Sequence, residues 1–185
     1  MKNFVFSIAL LLGFVSVASA QRIYQSIKPI TGKKDIISVE VPSGWVQQVI
    51  ENSNTYTGQH LTKVDAHNVS IMVQTIGVDE TYKTVEALLE HEKSMYNVKP
   101  ATVHSLYPIE LDKKIQAQLI QVTGSADGEQ LVAFIPVKNS VVVITMLANE
   151  PTFISENKAD FESLLGSFEF NPIINPPSYT EIVID

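Results

Sequence analysis

The chain has 185 residues, with 13 Lys and Arg against 20 Asp and Glu, a net charge of −7, 45% hydrophobic residues and no cysteine. The acidic excess argues against nucleic acid and anionic lipid headgroups as partners. The absence of cysteine excludes disulfide staples and a lipid-modified N-terminal cysteine, so an apolar core must hold the fold alone.

Residues 1–20 read as a secretory signal. Lys2 supplies a short positive n-region, residues 4–17 an apolar h-region, and Ala18-Ser-Ala20 the small-x-small pattern ahead of Gln21. The apolar run is shorter than the ~20 residues a span needs, so no stable membrane anchor is expected. Cleavage near Ala20 places the product in the periplasm or outside the cell. It removes Lys2 and no acid, leaving 165 residues at a net charge of −8. That length fits one domain.

Residues 21–34 form a polar N-terminal extension with Pro29 and Gly32. The domain is expected over 35–170. Residues 36–41 read as a strand, Pro42-Ser-Gly-Trp45 as a turn, and 46–50 as a second strand. Residues 51–68 are polar and hold two of the four histidines, which predicts a loop. Val69, Ile71, Val73 and Thr75 then alternate with Ser70, Met72 and Gln74, which is strand periodicity.

Thr84 is placed to cap a helix running to about Tyr96, with Glu86 in its first turn and Pro100 beyond its end. Residues 103–111 and 115–123 predict two strands. In the second, the apolar phase switches between Leu119 and Ile120; a bulge or cover on both faces would each account for it. Residues 125–128 turn the chain into a central antiparallel hairpin of 131–137 and 141–148. Val141-Val-Val-Ile-Thr-Met-Leu-Ala148 barely alternates, as in a strand buried on both faces. Pro136 sits awkwardly in its partner, because proline prefers edges and ends. A second helix starts near Pro151 or Thr152, with Ile154, Phe161, Leu164, Leu165 and Phe168 on one stripe. Gly166 is expected to stop it through a positive φ. Pro172, Pro176 and Pro177 mark 171–185 as a Pro-rich tail ending in the β-branched Ile182-Val-Ile184.

No βαβ unit repeats. The expected class is α+β: a central, mostly antiparallel sheet flanked by helices on both faces.

Three stretches carry a family resemblance: Val39-Glu-Val-Pro-Ser-Gly-Trp45, the helix of 84–96, and the closing strand and helix with Leu164-Leu-Gly-Ser-Phe-Glu-Phe170. Together they span roughly 35–170, and the pattern resembles the PsbP-like family, including its bacterial exported members. The resemblance implies an α/β/α sandwich. Members include photosystem-associated subunits and binding proteins for small GTPases, so the fold does not fix function. The resemblance supplies no catalytic motif.

His60, Asp65 and His67 are plausible ligand types for zinc or copper in one polar stretch, though their spacing matches no fixed metal motif. A solvated loop is the simpler account. His91-Glu92 opens like a zincin helix, but Met95 stands where the second histidine belongs. The Gly-x-Ser-x-Gly elbow and the P-loop are missing. Trp45, the single tryptophan, is a candidate to line a ligand groove with Tyr56 and, more simply, to cap one end of the core; the two readings are compatible.

These features point first to an exported, non-enzymatic envelope domain that binds a protein or small ligand and needs no cofactor. The alternatives are a metal-dependent hydrolase using His60, Asp65 and His67, and an assembly protein acting through its C-terminal strand.

Overall fold

The computed structural model describes residues 21–27, 35–49, 57–111 and 114–171. The expected signal at 1–20, Tyr56 and the tail beyond Asn171 lie outside the described residues.

The central element is β10 (Ser140–Ala148), paired antiparallel with β9 (Gly128–Val137) on one side and β5 (Ala66–Gly77) on the other. The larger sheet runs β3 (Trp45–Val49), β4 (Thr57–Lys63), β5, β10, β9, β8 (Gln116–Ser125), β6 (Thr102–Ser105), with β7 (Ile109–Glu110) also on β8. Every ladder in it is antiparallel. Pro136 is accommodated because it lies past the last β8–β9 pair, Gln118 with Phe134.

Val142, Ile144 and Met146 belong to one core cluster; Val141 and Val143 belong to another. Successive strand residues project to opposite faces, so both sides of β10 are buried. Burying each such side chain is worth about 1.5–3 kcal/mol, which is why this run can dispense with alternation. Leu119 and Ile120 divide between the same two clusters. Cover on both faces therefore explains the phase switch; the register shift of β8 comes later, between Val122 and Ser125.

Helix α1 (Val85–Met95) is capped by Thr84, whose Oγ1 accepts from the Ala87 N–H at 3.2 Å. It adds Leu88 and Leu89 to the Val143 cluster. Helix α2 (Pro151–Gly166) adds Ile154, Phe161, Leu164 and Leu165 to the Ile144 cluster. Among the described residues, no helix is long and apolar enough to cross a membrane.

Four expectations change. Gly166 is not a left-handed cap: it is the last helical residue, and Ser167 closes the helix at φ −88 with its Oγ donating to the Leu164 carbonyl. The single strand expected over 103–111 is two, β6 and β7, interrupted around Pro108, which cannot donate to a ladder. The polar stretch before Asn68 contains β4, a strand held by partners on both sides. The polar extension contributes β1 (Arg22–Ile27), which pairs with β2 (Asp35–Glu40).

β2 also pairs with β11 (Glu169–Phe170), giving a second, three-stranded sheet that the sequence did not announce. Ile23, Ile37 and Val39 bring it into the Ile144 cluster beside Phe168. Arg22 ties it together: its guanidinium donates to Ser38 Oγ at 2.7 Å, Glu169 Oε2 at 2.6 Å and the Ser167 carbonyl at 3.1 Å.

Candidate functional site

Strand alternation positions the site. Trp45 and Leu61 point into the Ile144 cluster, as do Val69 and Ile71. Their neighbours Val46, Thr62, Ser70 and His60 therefore point to the other face. Register aligns them: Val46 pairs with Thr62, Thr62 with Ser70, and Ser70 with Leu147. The row continues through Gln130 and Val122 to Val103. In the next row, Gln48 faces His60, and His60 faces Met72.

α1 reaches this face over β8, β9 and β10. Its C-cap residue Tyr96 places its hydroxyl 3.3 Å from Thr145 Oγ1 and its ring edge-on to Phe134 at 5.6 Å. The surface over β3, β4 and β5 holds a hollow of about 500 Å³, lined by Val46, Gln48, His60, Thr62, Ser70 and Leu147 among others. Val46 is 43% exposed. Asn68 and Asn149 also line the hollow.

The lining is apolar at Val46, Val64, Val69 and Leu147 and, Lys63 apart, otherwise presents amides, hydroxyls and one imidazole. Lys63 also borders it, but its ammonium is engaged elsewhere, 2.6 Å from Asn157 Oδ1 and 3.0 Å from Asp160 Oδ2. His60 and Ser70 occupy diagonal positions in the β4–β5 ladder and share no hydrogen bond. A nucleophile and its base need that contact. The half-buried His60 ring lines the hollow and makes no side-chain hydrogen bond among the described residues.

The expected metal trio is spread along a hairpin rather than gathered in a loop. His60 lies in β4, Asp65 is exposed in the turn and His67 lies at the start of β5. His60 faces Met72, five residues along β5 from His67, about 16 Å at a rise of ~3.3 Å per residue. The His67 side chain lies outside what the structure describes. No group of three or more His, Asp or Glu able to hold a metal occurs among the described residues.

Trp45 is buried at 4% exposure, as a core cap, on the face opposite Val46. Its Nε1–H donates to Asp160 Oδ2 at 2.9 Å, and the Lys63 ammonium sits 5.7 Å from its ring centroid. Burial alone would push the Asp160 carboxyl up. The bonds from Trp45 and Lys63 and the Lys63 charge outweigh it and hold the group below its ordinary value.

Val46, Thr62, Ser70 and Leu147 were not singled out by sequence. The available signal was the outward phase of β5, Ser70 and Met72, beside a tryptophan whose neighbour is an exposed valine.

No protein-family model and no curated protein matches the chain. Among solved structures it is similar to cyanobacterial PsbP from Synechocystis sp. PCC 6803, with 12% identity and a TM-score of 0.50 over 85% of this chain and 95% of that one. It is similar to LpqN, involved in cell envelope biogenesis of Mycobacterium tuberculosis, with 12% identity and a TM-score of 0.52 over 82% and 92%. At such identities the likeness concerns the fold, which is PsbP-like.

Proposed function

We propose that the chain is an exported, non-enzymatic binding module of the cell envelope and that the hollow over β3, β4 and β5 is its ligand surface. The carrying observation is the row Val46–Thr62–Ser70–Leu147, which lines a hollow of about 500 Å³. Its mixture of apolar and uncharged hydrogen-bonding groups suits an uncharged polar ligand, such as a peptide segment or a small hydroxylated molecule. β3 ends the sheet order on this side, so its outer backbone edge adjoins the hollow. Export rests on the pattern of residues 1–20, and LpqN is a precedent for this fold in envelope biology.

The architecture proposed with this function is an α/β/α sandwich. The support is that Leu88 and Leu89 of α1 share a cluster with Val143, while Phe161 of α2 shares the other with Ile144.

The test is a screen of short peptides and oligosaccharides by amide NMR. Binding at this site predicts that shifts gather at Gln48, His60, Thr62 and Ser70 and vanish in Val46→Asp. Ligands that perturb only distant residues would refute it.

A further inference from the structure

The row of the candidate site does not stop at Leu147. Its next members, Gln130 and Val122, enter a second hollow of about 500 Å³ between the end of α1 and the β8–β9 turn. Gln130 is 8% exposed and lines this hollow; its side-chain amide makes no hydrogen bond among the described residues and keeps contact with solvent. A ligand entering the hollow would replace that solvent as the partner of the amide.

The walls are apolar: Val122 and Tyr96 within, Met95 and Val98 at 59% and 62% exposure outside. Two carboxylates, Glu92 and Asp127, also line it. Met95 and Tyr96 place the hollow at the C-terminal end of α1, the negative end of the helix dipole. Lys99 is the single cationic side chain of the lining; it is exposed, and its flexible stem lets the ammonium turn to water. Burial pushes the Glu92 carboxyl up, against the pull of the His91 charge. A neighbouring cation would relieve that burden.

We propose that this hollow binds a primary ammonium group carried on a short apolar stem. The ammonium donates to Glu92, Asp127 and the Gln130 carbonyl oxygen, while the stem packs on Met95, Val98 and the Tyr96 ring. The site is independent of the groove over β3, β4 and β5.

Titration of the purified chain with n-butylammonium, followed by NMR at the Gln130 side-chain amide and the Met95 methyl, tests this. Saturable shifts are expected, absent with n-butanol at equal concentration. Glu92→Gln with Asp127→Asn should weaken binding about tenfold or more. Lys99→Gln, an exposed change that leaves the fold alone, should strengthen it severalfold. A blocked lysine, Nα-acetyl-lysine methylamide, distinguishes the sources. Binding at least as tight as n-butylammonium assigns the site to a polypeptide lysine; weaker binding assigns it to a free amine. The absence of saturable shifts with both probes, equal shifts from n-butanol, or unchanged affinity in both the double variant and Lys99→Gln would overturn the proposal.

Discussion

Leu147 of β10 faces Gln130 of β9 directly across the ladder, and the pair divides one cross-strand row into two hollows. Leu147 lines the hollow over β3, β4 and β5, and Gln130 lines the one beneath the end of α1. One sheet face thus offers adjacent surfaces of different chemistry, uncharged on one side and acidic on the other.

Thr75 gives the first prediction. Its Oγ1 is buried and has no hydrogen-bond partner among the described residues, and replacing it with Val removes that hydroxyl and keeps the shape. Removing such a group altogether is neutral or stabilising, because no desolvated donor or acceptor is left behind. Thr75→Val should raise stability by about 1 kcal/mol in urea unfolding. A clear loss of stability would mean that the hydroxyl has a partner in the folded chain.

The second prediction concerns pH. Asp160 receives the Trp45 Nε1–H and the Lys63 ammonium, and its folded pKa lies below the ordinary 3.8. A depressed acid stabilises the fold fully above its unfolded value and loses that contribution as pH falls through the folded one. Wild type should therefore exceed Asp160→Asn in stability at pH 6, and the gap should close below about pH 4. Denaturation curves across this range check it; a gap that does not change with pH would contradict the assignment.

Phe161 and Glu162 adjoin on α2 with opposite roles. Phe161 is fully buried in the Ile144 cluster, so Phe161→Ala should cost about 3–5 kcal/mol. Glu162 accepts from the Tyr107 hydroxyl at 2.8 Å at the surface, and Glu162→Ala should cost no more than about 1 kcal/mol. Similar losses in thermal unfolding would contradict the assigned helix face.

What was legible in the sequence is local. The cap at Thr84 and the stripe of α2 follow from spacing within one helix, and the β9–β10 hairpin from two apolar runs around a turn. β4 was missed because, among the described side chains of TGQHLTK, only Leu61 is fully buried; its pairing with β3 and β5 overrides its weak propensity. β1 was missed for a similar reason, since its register with β2 is set across an intervening polar segment. The candidate groove was legible only at His60. The row itself joins Val46 to Leu147, positions that only long-range register brings together.

Arg22 gives the last prediction, because it links four pieces of chain. Its guanidinium, on β1, meets Ser38 and Glu40 of β2, Glu169 of β11 and the Ser167 carbonyl at the end of α2. The side chain retains 21% exposure, so the ion pairs are partly shielded from water. Charge-assisted bonds of this kind each contribute on the order of 1.5–3 kcal/mol, less where solvent screens them. Arg22→Ala should lower stability by about 2 kcal/mol and speed amide exchange in β1 and β11 before the larger sheet is affected. Arg22→Lys should recover little, because a point ammonium cannot serve a carbonyl, a hydroxyl and two carboxylates held around a planar fork. A double-mutant cycle of Arg22→Ala with Glu169→Gln should show coupling of about 1 kcal/mol or more. Strict additivity, or full rescue by lysine, would mean that the apolar contacts of Ile23, Ile37 and Val39 hold the small sheet without the arginine.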